Sequence, residues 1–341
     1  MKSDLLFFTS PIGLGHASRD VAIASKLDAN ITFVSGENAS KMISDYGFQV
    51  KDLYRHEGFN VDSSGELKHA FRWIMDYWSY YKRCKEIAKE LIVKHETRLV
   101  IADEDFAATS IAQENDLPNV VITDILQSSF TKGIASAIEK KMNKAMKEMI
   151  DKSTLVIIPG SGTDHDNFAY VGPIVREISA SRENLRERFG FTRKTILLTT
   201  GGTNAGIFLI NKAIESYSRI KSKIDADIIV VSGSSMNLEF DVKHIGYVKN
   251  LQEMVYASDL VISLAGRSTT DEADIYGTPG IFIPIKNHFE QEENARRHGF
   301  AFDAINRLDE LIPEKLNLPR NDVKTSDGAE RAARLISNLM R

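Results

Sequence analysis

Residues 263–294 read SLAGRSTTDEADIYGTPGIFIPIKNHFEQEEN, and this stretch decides the fold. The apolar run from Asp259 to Leu264 has the composition of a buried strand, and Ala265-Gly266 breaks it. Ser268 then opens a helical segment with Asp271 three residues later, a loose capping-box pattern. Gly277-Thr278-Pro279 is a stop-and-turn signal, Gly280 to Ile285 reads as a second buried strand, and a polar helix runs from about Phe289 to His298, closed by Gly299. The N-terminus of the first helix presents unpaired N–H groups and a positive dipole end to an anion. Glu272, one turn into that helix, stands close enough to accept hydrogen bonds from a sugar diol.

The same alternation extends in both directions. Strand-like runs are Leu5 to Thr9, Ile31 to Ser35, Leu99 to Ala102, Val120 to Thr123 and Leu155 to Pro159, then Thr195 to Thr199, Ile228 to Ser232, Leu260 to Leu264 and Gly280 to Ile285. Most are continuously apolar, as strands covered on both faces must be, and helical patterns separate them. The class is therefore α/β: two doubly wound, Rossmann-like parallel-sheet domains facing a cleft. The boundary falls at Tyr170-Val171-Gly172-Pro173, giving a first domain of residues 1–172 and a second of 173–325. Residues 326–341 read as an amphipathic helix.

Composition bounds the function. The 341 residues suffice for two cores, and 43% hydrophobic with 26% charged residues is a soluble globular balance. Cys84 stands alone, which excludes an intramolecular disulfide and fits a reducing compartment. The apolar run in MKSDLLFFTSPIG is too short for a signal peptide or membrane span, so the expectation is a cytoplasmic protein. A net charge of -4 argues against general nucleic-acid binding.

Two glycine loops follow first strands. Gly13-Leu14-Gly15-His16-Ala17-Ser18-Arg19 opens a helix through Leu27, and Thr199-Thr200-Gly201-Gly202-Thr203-Asn204-Ala205-Gly206 leads into another. Glycines let the backbone approach a ligand closely, and such loops grip phosphate with their amides. A nicotinamide-cofactor reading, with Glu37 as the ribose partner, fails on Ser18, which stands where a third glycine or alanine belongs, and leaves the second loop unexplained. Asp225-Ala226-Asp227 has the DxD spelling of a metal site, but it precedes a strand and reads as a solvated loop; no metal is expected.

Glu272-Ala273-x-x-x-Gly277-x-Pro279, followed by Glu290-Gln291-x-x-Asn294-Ala295, resembles the donor-binding signature of GT-B glycosyltransferases, and GLGHASR resembles the GxGHxxR loop of their MurG-like members. The resemblance implies that Glu272 binds the nucleotide ribose, Gly266, Arg267 and Ser268 the diphosphate, Glu290 and Gln291 the donor sugar, and that Val248 meets the base. Thr200, Gly201, Gly202 and Thr203 would lie against the donor phosphates. Gly13, Gly15 and Arg19 would belong to the acceptor loop, and the last helix would pack back on the N-terminal domain. Plant-type members carry a phosphate-binding His where this chain has Leu264, which shifts the grip onto backbone amides and Arg267. His16 would face the acceptor. A hydroxyl is a poor nucleophile until a base removes its proton, and an imidazole with a pKa near 6.5 suits that task; the alternative is that His16 only caps its helix. Asp103 or Asp105 would orient the ring, unless they are merely strand-end or capping residues.

The resulting expectation is an inverting, metal-independent transferase that uses a nucleotide-diphosphate sugar, most simply UDP-linked, as co-substrate and has no other cofactor. A UDP-sugar 2-epimerase of the same fold, or a non-catalytic sugar-nucleotide-binding subunit, are the alternatives. Lys68 to Lys94 holds Trp73, Tyr77, Trp78, Tyr80 and Tyr81 among seven Lys/Arg and three Asp/Glu, and Lys132 to Lys152 holds six Lys and three Asp/Glu. Their apolar stripes, which include Ile134 in the second, read as core packing. Their basic and aromatic faces suit an anionic membrane or a lipid-linked acceptor, placing the protein at the inner face of the membrane.

Overall fold

The apolar runs become the inner strands of two parallel sheets. The structure, a computed structural model, describes residues 4–56, 58–131, 133, 135–201, 204–232 and 242–341. These divide into two compact units, one of residues 4–56, 69–175 and 326–341, the other of residues 58–68 and 176–325. The chain therefore passes from one unit to the other at 57/58, 68/69, 175/176 and 325/326. Residues 58–68, read from sequence as part of the first domain, group with the second.

The first unit runs β1 (Asp4–Thr9), α1 (Gly15–Ala24), β2 (Asn30–Ser35), α2 (Glu37–Asp45), β3 (Gln49–Asp52), α3 (Ala70–Lys94), β4 (Val100–Asp103), α4 (Phe106–Glu114), β5 (Asn119–Ile122), α5 (Ala135–Asp151), β6 (Leu155–Ile158) and β7 (Phe168–Tyr170). The sheet order is β3-β2-β1-β4-β5-β6-β7, all pairs parallel. Strand order reverses between β1 and β4, so the loops beyond their carboxyl ends sit at the switch point where doubly wound folds bind ligands. Phe7, Phe8, Val100, Ile101, Val120 and Ile122 are wholly buried, each stabilising the fold by about 1.5–3 kcal/mol. α1 stops at Ala24, short of Leu27, where the Ser25 hydroxyl turns back to donate to the Val21 carbonyl at 2.7 Å.

The second unit runs α6 (Arg182–Phe189), β8 (Lys194–Thr199), α7 (Ile207–Ile220), β9 (Ala226–Val231), β10 (Lys243–Ile245), α8 (Leu251–Ala257), β11 (Leu260–Leu264), α9 (Arg267–Ile275), β12 (Gly280–Ile283), α10 (Phe289–Arg297) and α11 (Leu308–Leu316). Its sheet, also all parallel, is ordered β10-β9-β8-β11-β12, with the reversal between β8 and β11. Residues 58–68 fasten onto this unit. Leu67 N donates to the Lys286 carbonyl and Lys286 N to that of Gly65, both at 2.9 Å. Asn287 Nδ2 donates to Glu66 at 3.0 Å, and the Phe59 and His288 rings meet at 4.7 Å. Gly65 has a φ of +82°, and a Cβ there would lie 2.6 Å from the Phe208 ring, so no side chain fits.

The last helix, α12 (Gly328–Leu339), lies with the first unit and packs on α1. Ala332, Ala333 and Ile336 are buried, Lys26 pairs with Glu330 at 2.8 Å, and Arg331 Nη1 donates to the Tyr170 carbonyl at 2.6 Å.

Three strands have no counterpart in the sequence reading: β3 (QVKD), β7 (FAY) and β10 (KHI). All three are sheet edges, covered on fewer sides than the inner strands, so their residues need not be continuously apolar.

Candidate functional site

In the first unit the loop after β1 and the end of β4 bring polar side chains to the switch point. His16 is the second residue of α1, and its Nδ1 lies 2.9 Å from Asp103 Oδ1. Asp103, the last residue of β4, is completely buried. Arg19, one turn further along α1, donates from Nε and Nη2 to the two Asp103 oxygens, both at 2.5 Å, and from Nη1 to Asp124 at 2.9 Å. That forked grip fixes the carboxylate plane. Arg19 Nη2 also comes within 3.1 Å of His16 Nδ1; because Nδ1 must carry the proton that Asp103 accepts, this is proximity and not a second hydrogen bond.

The electrostatics follow from burial and charge. Burial alone would raise the Asp103 carboxyl, but Arg19 and His16 outweigh it and hold Asp103 far below the usual carboxylate range. Burial disfavours a charged His16, yet Asp103 and Glu104 prevail and push the imidazole up to about 9. Asp20, buried on the next α1 position and receiving the Thr9 hydroxyl at 2.7 Å, is raised well above normal by burial and by Asp103's charge.

Asp105, the other proposed partner of His16, has a different task. Its Oδ1 accepts the Ala108 N–H at 2.9 Å as the N-cap of α4, so it is tied to its own helix, and of the two it is Asp103 that meets the ring.

In the second unit the corresponding loops follow β8 and β11, adjacent strands paired Thr199 to Ser263. Thr200 is buried and Gly201 takes a left-handed φ of +72°; Gly202 and Thr203 lie outside the described residues. α9 begins at Arg267 with Gly266 as N-cap, not at Ser268, and no side chain caps it. Asp271 instead pairs with Arg267 at 2.9 Å, which partly neutralises the cation expected to grip phosphate. The half-buried Gly266, Arg267 and Ser268 thus present the first turn of α9 with its backbone amides. Leu264 is buried, with its Cδ1 3.1 Å from where a Gly206 Cβ would be. The position that holds a histidine in plant-type members is here part of the apolar packing under the β8 loop.

Glu272 is only 2% exposed and receives Arg176 through Nε at 3.0 Å and Nη2 at 2.9 Å. Arg176 Nη1 also donates to the Lys249 carbonyl at 3.3 Å, which ties Glu272 to the segment carrying the half-buried Val248. On α10, Glu290 and Gln291 are half-buried, and Gln291 Oε1 accepts the Ile285 N–H at 3.0 Å. Asn294 Nδ2 donates to the Ala265 carbonyl at 3.2 Å, fixing the turn before α9. Gln291 and Asn294 thus fasten α10 to the turns that follow β12 and β11. Asp225 and Asp227 both pair with Arg193, and Asp227 lies within β9 instead of a loop. Among the described residues no His, Cys, Asp and Glu group has the arrangement of a metal site.

Residues 195–323 match the glycosyltransferase family 28 C-terminal domain. An uncharacterised glycosyltransferase of Methanopyrus kandleri is 25% identical, over 96% of this chain and 100% of its own. A UDP-N-acetylglucosamine--N-acetylmuramyl-(pentapeptide) pyrophosphoryl-undecaprenol N-acetylglucosamine transferase of Clostridioides difficile is 25% identical, over 89% of this chain and 77% of its own. In fold, the chain is similar to the glycotransferase of kitacinnamycin, with a TM-score of 0.69 at 13% identity over 100% of both chains. It is likewise similar to the calicheamicin glycosyltransferase CalG4, with a TM-score of 0.63 at 14% identity over 100% of this chain and 98% of that one. This chain is a glycosyltransferase of GT-B architecture, similar to the MurG-like members of that fold.

Four groups of this glycosyltransferase's candidate sites had no role in the sequence reading: Asp20, Glu104, Asp124 and Arg176. Asp20 is one residue past the GxGHxxR-like loop, and Glu104 was visible only as the middle of an acidic triplet. Asp124 follows a strand with no motif around it. Arg176 opens a charged stretch that reads as a linker, where an arginine carries no signal of burial.

Proposed function

We propose that this glycosyltransferase moves a sugar from a UDP-linked donor to an acceptor hydroxyl with inversion, without a metal, and that the acceptor is lipid-linked. The observation that carries this reading is the 2.9 Å contact between His16 Nδ1 and the buried Asp103, at the end of β1's glycine loop. Asp103 fixes the tautomer with the proton on Nδ1, which leaves Nε2 as the basic nitrogen. The acceptor oxygen bonds to the anomeric carbon as the bond from that carbon to the diphosphate breaks. The hydroxyl proton passes to Nε2. Amides of Gly201, Gly202, Gly266 and Arg267 stabilise the charge on the leaving diphosphate, the task a metal performs in other folds. Glu272 accepts from the ribose, and Glu290 and Gln291 bind the donor sugar.

Two facts support the lipid-linked acceptor. The Clostridioides difficile relative is named for a pyrophosphoryl-undecaprenol substrate. On α3, Phe71, Met75 and Trp78 are 45%, 48% and 51% exposed at a spacing that puts them on one face, with Lys82 over the Trp78 ring at 5.3 Å. No helix among the described residues is long and apolar enough to cross a membrane, so contact through such a face would be peripheral.

The test is His16→Ala, assayed by UDP release and product formation with a panel of UDP sugars and lipid extracts. Transfer should fall about 10²–10⁴-fold while donor affinity changes little, and the product's anomeric configuration should be opposite to the donor's. Turnover near the wild-type rate would refute the base role.

A further inference from the structure

Glu104 is not used by the mechanism above, yet it stands on the face of His16 where that mechanism needs room. Its backbone is held in the left-handed region, φ +49°, by a bond from its own N–H to the Ile122 carbonyl at 3.1 Å. A non-glycine residue in that conformation is strained and persists only where the surroundings impose it. The side chain is 15% exposed, Oε1 accepts the Thr123 hydroxyl at 3.2 Å, and Oε2 lies 3.7 Å from His16 Nε2. It also lines a small cavity beside α3 with Ser10, Tyr77, Tyr81 and Asp105.

We propose that Glu104 is a positioning residue acting through His16: with Asp103 on Nδ1 and Glu104 beside Nε2, two carboxylates clamp the imidazole, and Glu104 decides when Nε2 is free to take a proton. The separation supports this division of labour. At 2.9 Å Asp103 makes a full hydrogen bond that orients the ring, whereas 3.7 Å is ion-pair range without a hydrogen bond, so an incoming hydroxyl can replace Glu104 at Nε2 without breaking one. The charges around the pair point the same way. Facing it are Arg19 from α1, Asp103 at the end of β4, Asp124 beyond β5, and from α3 the Tyr77 phenol, with Asp20 of α1 behind Asp103. Burial, reinforced by Asp124, raises Glu104 to about 8, and Asp103 with Glu104 raises His16 to about 9. Two groups this close lose their protons as a pair in successive steps. Asp103 holds the proton on His16 at neutral pH, the Glu104 charge strengthens that hold as it forms near pH 8, and base catalysis by His16 belongs to the alkaline side.

This inference rests on the role proposed for His16, and the experiment separates the two. The His16 imidazole signals are followed by NMR against pH in the unliganded full chain, in wild type, Glu104→Gln and Glu104→Asp, alongside the pH profile of kcat/KM for transfer. Removing the Glu104 charge should move the His16 titration, and the acid limb of the profile, toward acid by about one pH unit. Glu104→Asp, which keeps the charge one methylene further back, should titrate above Glu104→Gln. An unmoved His16 titration in Glu104→Gln, or identical titrations in the Gln and Asp variants, overturns the clamp. A titration that moves while the rate profile stays put upholds the clamp and refutes His16 as the base.

Discussion

Glu272→Ala has a cost that a surface carboxylate would not. Glu272 and Arg176 are 2% and 7% exposed and meet through two contacts of 3.0 and 2.9 Å, so deleting the carboxylate takes from a buried guanidinium the charge that faces it. Breaking a buried pair from one side costs about 3–5 kcal/mol, against about 0–1 for an exposed pair such as Arg296–Glu293. In a domain of this size about 1 kcal/mol lowers Tm by roughly 2–4 °C, so the transition of the second unit should fall by roughly 6–20 °C. Scanning calorimetry of the full chain without nucleotide measures it. Glu272→Gln, which retains an acceptor for Arg176 Nε, should lose about half as much, and the double replacement Glu272→Leu with Arg176→Met should recover most of the loss. A Tm drop of less than about 3 °C in Glu272→Ala would show that the pair is hydrated, and the reasoning from burial would be wrong. If the drop is as large as expected, the weaker nucleotide binding anticipated for Glu272→Ala must be measured well below the new transition.

Two further outcomes test other parts of the molecule. A Cβ at Gly206 would sit 2.3 Å from Thr200 Cβ, so Gly206→Ala must displace the β8 loop; titration calorimetry should show UDP affinity reduced by about 1–3 kcal/mol, and unchanged affinity would detach that loop from the donor phosphates. Vesicles rich in anionic lipid should retain the wild-type chain at low salt, and Phe71→Ser with Trp78→Ser should reduce retention by roughly tenfold, each half-exposed ring contributing about 1 kcal/mol or less. Equal retention of both proteins would exclude this face of α3 from the contact.

The sheets were legible because strands covered on both faces must be apolar throughout, as LVII and TILLT are, while edge strands such as QVKD escape that demand. The turns on either side of α9 were legible because glycines and prolines punctuate the chain where the backbone turns. Side-chain partnerships were not. The acidic triplet Asp103-Glu104-Asp105 offers three carboxylates in a row, and only the end of β4 and the start of α4 send one beneath His16, one beside it and one onto a helix N–H. Arg176 and Glu272 are 96 residues apart, and no local spacing couples them.

The four passages of the chain between its units bear on how such a gene can be rearranged. A fragment ending near residue 175 would lack α12, which would bare the α1 surface that Ala332, Ala333 and Ile336 cover, and it would carry residues 58–68 without Phe208 and Lys286 to receive them. The second unit is therefore not a cassette with two ends. Recombination between relatives that exchanges residues 176–325 alone should yield poorly folded chimaeras unless the short segment encoded more than a hundred codons upstream is exchanged with it.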